Sequence, residues 1–383
     1  MAEVAVVGAG PAGSLSARLL AASGREVVVL EEHRAAGAPV HCAGIVTDDV
    51  IEMTGVRPDI LSTVCGADVV FPDGRTLSID RQSPIAYAID RKVLDERMAD
   101  AAAQYGAVIR WGDHCTSYSV DAQGVTLNTN SGQIRSEMMV GADGQGSLIA
   151  VSLGDNAPRE VLRGAQADVR RRSEHPDRMV LRMGSATSPG FFSWEVPMGD
   201  HTRIGVCVGS QYGMPAAYLK KVMDVAGYAD AEVMERYGGK IPIGGRRTTF
   251  SDRLLLIGDA AGQVKAVSGG GLYPICKAAP ILRDVVNEAF EKKMFSSAQF
   301  ALYERGWKRE LDGCIRGGIR LRKMYTRLSD DGVNAMGAAL DSPEAKAILS
   351  AIDLDDPTNV VGPLLGLRGV KSTVVKVLLK AII

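Results

Sequence analysis

Three glycines and one carboxylate stand first among the residues whose spacing could do chemistry. Gly8-Ala9-Gly10-Pro11-Ala12-Gly13 fits G-x-G-x-x-G between an apolar run and a helical pattern, and Glu31 closes the next apolar run. Glycine at 8 allows a tight turn, glycine at 10 lets backbone approach a pyrophosphate, and glycine at 13 lets helix and strand pack closely. Ala12 falls in the first turn of a helix whose free N–H groups and positive dipole end suit phosphate. A carboxylate at 31 would accept ribose hydroxyls and repel a 2′-phosphate, favouring FAD or NAD over NADP. A second constellation is the apolar run 253–257 delivering Gly258-Asp259 into a small-residue turn, with Gly269-Gly270-Gly271-Leu272 just beyond. A third is the turn Gly141-Ala142-Asp143-Gly144.

The elements that must position these residues follow from periodicity. Residues 3–7 read as a strand, 11–22 as a helix and 26–30 as a strand, a β-α-β unit. Strands at 85–89, 108–111, 125–129 and 137–140 and a helix at 92–105 continue this half. Longer strand-like runs at 162–170, 178–183, 190–197 and 202–208 predict a mostly antiparallel sheet inserted as a second domain. The buried run 254–257 and a helix at 272–289 return to the first domain, and the chain reads as helical after 296. The expected organisation is an α/β, FAD-binding Rossmann-like domain over 1–155 and 245–295, an antiparallel-sheet substrate domain over 156–244, and a helical region over 296–383.

Composition bounds the function classes. The chain has 383 residues, with 44 Lys+Arg against 45 Asp+Glu and a net charge of −1, so no nucleic-acid partner is expected. Six cysteines without a C-x-x-C pair suit reduced thiols in a cytoplasmic protein and give no metal site. No run of about 18 apolar residues suggests a membrane span.

Taken in order, the motifs resemble the p-hydroxybenzoate hydroxylase and geranylgeranyl reductase superfamily of flavoproteins. The resemblance implies FAD, with Asp259 on the ribityl and pyrophosphate region, Asp143 near the adenosine side, and Gly270, Gly271 and Leu272 opening a helix toward the flavin. Asp90-Arg91 resembles the arginine that reaches the cofactor, although a surface charge at a helix start explains Arg91 alone. Two stretches resemble geranylgeranyl reductases specifically: Pro39-Val40-His41-Cys42-Ala43-Gly44-Ile45, and Pro189-Gly190-Phe191-Phe192-Ser193-Trp194-Glu195-Val196-Pro197. Archaeal members carry a cysteine loop at the flavin and a P-x-x-Y-x-W-x-F-P strand along the lipid channel; this chain has Phe192 for Tyr and Val196 for Phe. The implied reaction saturates isolated C=C bonds of geranylgeranyl chains, such as those of digeranylgeranylglycerophospholipid. An alkene without an activating carbonyl needs a hydride from flavin N5 and a matched proton at the other carbon. Cys42 is the candidate proton donor and His41 the weaker one, while Cys42, Ala43 and Gly44 would also touch the cofactor. A small buried hydrophobe is the plain alternative for Cys42. Phe192, Trp194, Pro197 and Tyr273 are the candidate substrate wall, with ordinary core packing as the alternative.

The lack of a second G-x-G-x-x-G implies that electrons arrive by docking of a donor such as ferredoxin, reduced deazaflavin or NAD(P)H. Arg316, Arg320, Arg322, Lys323 and Arg327 form a basic stretch for a head group or acidic donor, or a solvated helix face. Residues 372–383 read as an amphipathic helix, resting on a membrane surface or packing on the protein itself. A flavin monooxygenase or halogenase shares the FAD motifs, and a non-enzymatic prenyl-lipid binding protein shares the fold. The Cys42 loop and Gly258-Asp259 favour the reductase.

Overall fold

The structure, a computed structural model, describes residues 2–154 and 157–380, without the side chains of 378–380. It opens with β1 (Ala2–Val7), α1 (Pro11–Ala22) and β2 (Val27–Glu31). There follow β3 (Ile45–Val46), α2 (Asp48–Thr54), β4 (Ile60–Val64), β5 (Gly66–Val70), β6 (Thr76–Asp80), β7 (Ala86–Ile89), α3 (Arg91–Gln104) and β8 (Val108–Trp111). The hairpin β9 (Cys115–Asp121) and β10 (Gly124–Thr129) leads into β11 (Gly132–Gly141) and α4 (Leu148–Ser152). A second set comprises β12 (Glu160–Val169), β13 (Arg178–Met183), β14 (Phe192–Pro197), β15 (Thr202–Gly209), α5 (Pro215–Val225) and β16 (Val233–Ile243). The chain then makes β17 (Phe250–Ser251), β18 (Leu254–Leu256) and α6 (Leu272–Lys292). The remainder is α7 (Ser297–Tyr325), α8 (Asp330–Leu340), α9 (Pro343–Leu349), α10 (Val361–Gly366) and α11 (Arg368–Lys380).

The first sheet runs β17-β18-β11-β1-β2-β8, with β18, β11, β1, β2 and β8 parallel. Strand β1 lies in its middle, and Val4, Ala5 and Val6 have no exposed surface. A strand buried on both faces favours an apolar run over alternation, which is how the sequence reads there. Helices α1, α3, α6 and α7 cover one face through Leu15, Leu20, Leu94, Leu282 and Phe300. Hairpin residues Val125 and Leu127, with Ile149, cover the other.

The second sheet runs β16-β12-β15-β14-β13-β5-β6. Its long pairs are antiparallel as expected, but β5 and β6 come from residues 66–80, far earlier in the chain, and β13 pairs with β5 in parallel. These two strands form a local hairpin, but its membership of the second sheet rests on the long-range β5–β13 pairing, which leaves no local signal, so the expected division at 156 did not include it. Helix α5 was also missed, although Pro215 at its start and buried Leu219, Val222 and Met223 give the helical spacing. It covers the outer face of β12 and β15.

Two surface expectations change. Arg322, within the basic stretch, is buried and pairs with Glu160 at 2.5 Å, so it joins α7 to the second sheet instead of facing a partner. Helix α11 turns Val370 and Val377 inward, and Val377 lies 3.0 Å from the Cβ position of Gly332 on α8. Residues 381–383 of the expected amphipathic segment lie outside the described residues. Among the described residues, no helix is long and apolar enough to cross a membrane.

Helix α7 is bonded to the first sheet's glycine turns. Tyr303 is fully buried, its hydroxyl accepts from Gln263 Nε2 at 2.9 Å, and Gln263 Oε1 accepts from the Gly258 N–H at 2.8 Å. Tyr303→Phe strands a buried amide donor and should lower stability by about 1–2 kcal/mol in thermal unfolding. A variant as stable as the parent would show that this bond carries no load.

Candidate functional site

The three glycine-bearing turns meet at the carboxyl ends of β1, β11 and β18. A Cβ on Gly13 would stand 1.8 Å from the Gly8 carbonyl oxygen, and one on Gly8, at φ +102°, 2.4 Å from the Ala142 carbonyl oxygen. A Cβ on Gly258 would stand 2.7 Å from that of Ala12. The three turns therefore interlock at backbone contact, which only glycine permits. Gly10 differs: nothing lies within 4 Å of its Cβ position, and no side chain caps α1, whose first residue is proline. The helix presents uncapped N–H groups to open space, as a phosphate cradle requires.

Two carboxylates flank this cradle. Glu31 is anchored at the end of β2, its oxygens accepting from Ala9 N–H at 2.7 Å and His33 N–H at 2.9 Å. Asp143 accepts from the Ser147 hydroxyl at 2.6 Å and from Ile149 N–H at 3.3 Å, so both its oxygens serve its own turn. Burial pushes its carboxyl above the ordinary range.

Asp259 is the exception. No hydrogen bond from the described residues reaches its carboxylate; burial raises it from 3.8 to about 6, against the opposing pull of the Arg91 and Arg246 charges. One of its oxygens lies 3.1 Å from the Cβ position of Gly271, which opens α6 with neither a side-chain cap nor an acid in its first turn. A carboxylate that takes no hydrogen bond from the described residues and faces an uncapped helix end fits a ligand that carries hydroxyls and anionic oxygens together. The ribityl and diphosphate of FAD have this character, and the residues present fit that group. A side chain at Gly270 would strike Lys265, 2.8 Å away.

The Cys42 loop closes the site from the other side. Arg91, at the start of α3, donates to Asp95 at 2.9 Å and lies against Cys42 and Gly44. The carbonyl of Cys42 accepts from Gln166 Nε2 at 3.0 Å and from Arg203 at 3.4 Å, and that of Ala43 from Arg203 at 3.3 Å. Arg203 is gripped by Asp168 at 2.7 and 2.8 Å, and Tyr237 adds a bond to the same carboxylate at 2.9 Å. Burial alone would raise Asp168; the Arg203 and His201 contacts instead hold it well below the usual carboxylate range. His41 turns Nδ1 to the Gly238 carbonyl of β16, so this imidazole fastens the loop.

The wall beneath is the inner face of the second sheet. Phe192 and Trp194 share that face, edge to face at 6.3 Å, and Phe191 stacks on Phe192 at 4.2 Å. Pro197 stands an odd number of residues from Trp194, hence on the other face of β14, and its carbonyl takes the Ser62 hydroxyl at 2.5 Å; it leaves the expected wall. Leu272 and Tyr273 pack against the helical core, with the Tyr273 ring 5.8 Å from Lys265 Nζ and 5.4 Å from Lys277 Nζ. Sequence reasoning missed Gln166, Asp168 and Arg203. Their signal was polar residues inside otherwise apolar strands, which need buried partners.

A family model described as an FAD binding domain matches residues 1–214. The chain is 27% identical over 380 residues to the digeranylgeranylglycerophospholipid reductase of Methanocaldococcus jannaschii, covering 93% of this chain and 96% of that protein. It is 29% identical to digeranylgeranylglycerophospholipid reductase 2 of Methanothermobacter thermautotrophicus, over 90% and 93% of the two chains. Its fold is similar to a geranylgeranyl bacteriochlorophyll reductase-like protein of Thermoplasma acidophilum, with TM-score 0.82, 22% identity and coverage of 95% and 98%. A halogenase mutant in complex with FAD is similar in fold at TM-score 0.72 and 16% identity, covering 98% of this chain and 85% of that one.

Two outcomes follow from the geometry. The Cβ of Gly10→Leu has nothing within 4 Å, so the variant should fold yet purify colourless; a yellow variant would contradict the phosphate cradle. In the FAD-free protein, the raised Asp259 carboxyl favours folding fully below its unfolded value near 3.8 and loses that contribution as pH rises through about 6. Relative to Asp259→Asn, the parent should therefore lose on the order of 3 kcal/mol across that window in chemical unfolding. Parallel profiles would place the carboxylate in an unperturbed setting.

Proposed function

The chain belongs to the FAD-binding-domain family, and from that premise we propose that it is a reductase saturating isolated C=C bonds of geranylgeranyl chains, the digeranylgeranylglycerophospholipids being the substrate class. The observation that carries this reading is the clamping of the Cys42 loop between the glycine turns and an apolar, aromatic sheet face. The names of the full-length relatives agree with it.

When bound and reduced, FAD supplies a hydride at N5. The protein's own residues must do the rest. Phe192 and Trp194 give the alkene a water-poor wall, and their π-faces suit positive charge developing at a tertiary carbon. The Cys42 thiol donates the proton to the carbon opposite the hydride. The sulfur left behind sits beside the Arg91 guanidinium, a fixed positive charge, until solvent returns the proton. Arg203 and Gln166 hold the loop carbonyls so that the thiol keeps its place. Each turnover adds two hydrogens to one double bond and consumes two electrons from a docking donor, of the ferredoxin, reduced deazaflavin or NAD(P)H kind.

Anaerobic addition of the lipid to pre-reduced protein should restore the yellow colour of the flavin without dioxygen. Cys42→Ala should retain full FAD occupancy and slow this reoxidation by roughly a hundredfold, the usual scale of a lost general acid. An unchanged rate in Cys42→Ala would remove the thiol from the chemistry, and reoxidation only in air would move the protein to oxygen-dependent catalysis.

A further inference from the structure

One row across the inner face of the second sheet carries two polar atoms that nothing satisfies. Gln166 on β12 pairs with Gly205 on β15, which pairs with Trp194 on β14, so all three residues face the Cys42 loop. Gly205 has no side chain, and the Trp194 indole fills that space: its Nε1 lies 2.5 Å, and two ring carbons 2.2 Å, from where a Cβ would be. The indole N–H is buried without an acceptor. Gln166 is 4% exposed; its Nε2 donates to the Cys42 carbonyl, while its Oε1 is buried without a donor. A donor on β14 and an acceptor on β12, strands that each lie about 4.8 Å from β15, thus flank one glycine on the strand between them. Each would cost free energy if left alone in this apolar setting.

We propose that a single oxygen of water or hydroxyl type sits beside the indole, between the two strands that flank Gly205, where it accepts from Trp194 Nε1 and donates to Gln166 Oε1. An ether oxygen or a carbonyl could not serve, because neither donates to Gln166. The bound oxygen fixes the Gln166 amide, and the amide fixes the Cys42 carbonyl, so Gln166 and Trp194 are positioning residues for the thiol. Gly205 is required beneath the indole: the methyl of Gly205→Ala would strike the ring and displace its Nε1 donor. The consequence for catalysis rests on the proposed role of Cys42; the binding site itself does not.

The test uses the full chain loaded with FAD. High-resolution crystal structures without and with the lipid should show an oxygen within about 3.2 Å of both atoms. A peak already present without lipid identifies water, and one that appears only with lipid identifies a substrate hydroxyl. A direct Trp194–Gln166 bond, or no peak in either crystal, overturns the proposal. Trp194→Phe keeps the aromatic wall and removes the donor, and Gln166→Leu removes the acceptor and the tie to Cys42. Both should change the iodoacetamide alkylation rate of Cys42, followed by peptide mass spectrometry, by about fivefold, the scale of one hydrogen bond. Unchanged rates in folded, yellow variants overturn the positioning role. Alkylation needs no turnover, so a protein inert toward prenyl lipids would defeat the proposed reaction and leave the oxygen site standing.

Discussion

The steric closeness of the glycine turns is the constraint on which the rest depends. With Gly13 over the Gly8 carbonyl, Gly8 over the Ala142 carbonyl and Gly258 over Ala12, three segments distant in sequence meet with no room for a methyl group. That contact brings together the carboxyl ends of β1, β11 and β18, where a parallel sheet offers its crevice to a ligand. It also sets the α1 N-terminus and the Asp259 carboxylate at fixed places around one space. Helix α7 reinforces the arrangement from behind through Tyr303 and Gln263.

A second constraint is electrostatic. Arg203 and Asp168 are both buried on the inner face of the second sheet, a costly arrangement unless each is well partnered. Asp168 takes bonds from Arg203 and Tyr237 and lies near His201, and Arg203 spends its remaining donors on two loop carbonyls. The ion pair therefore orients the Cys42 loop as well as joining β12 to β15. Lys265 and Asp355 make a comparable link at 2.9 Å, tying the loop after Asp259 to the C-terminal region, where Thr47 bonds the same carboxylate at 2.5 Å.

How much of this was legible in the sequence depended on the range of the interaction. Helix α1 begins and ends where its pattern does, because Pro11 and the following apolar spacing are local signals. The FAD motifs were legible because glycine identity encodes backbone geometry directly. The β5–β6 hairpin over Pro72-Asp73-Gly74 carries a local signal that the expected organisation omits, whereas its place in the second sheet is fixed by β5 pairing with β13, more than a hundred residues away. Pro197, a candidate for the substrate wall on the motif alone, lies three residues from Trp194 and so on the other face of β14, which strand alternation in the sequence already implies. Gln166, Asp168 and Arg203 were visible as anomalies in apolar runs, but only the fold shows that all three converge on Cys42.

The most direct test of the account is mass spectrometry of digeranylgeranylglycerophospholipid incubated without oxygen with the FAD-loaded, dithionite-reduced protein. The account predicts product masses that rise by two hydrogens for each double bond saturated. A lipid of unchanged mass, recovered from a yellow and fully loaded protein, would contradict it.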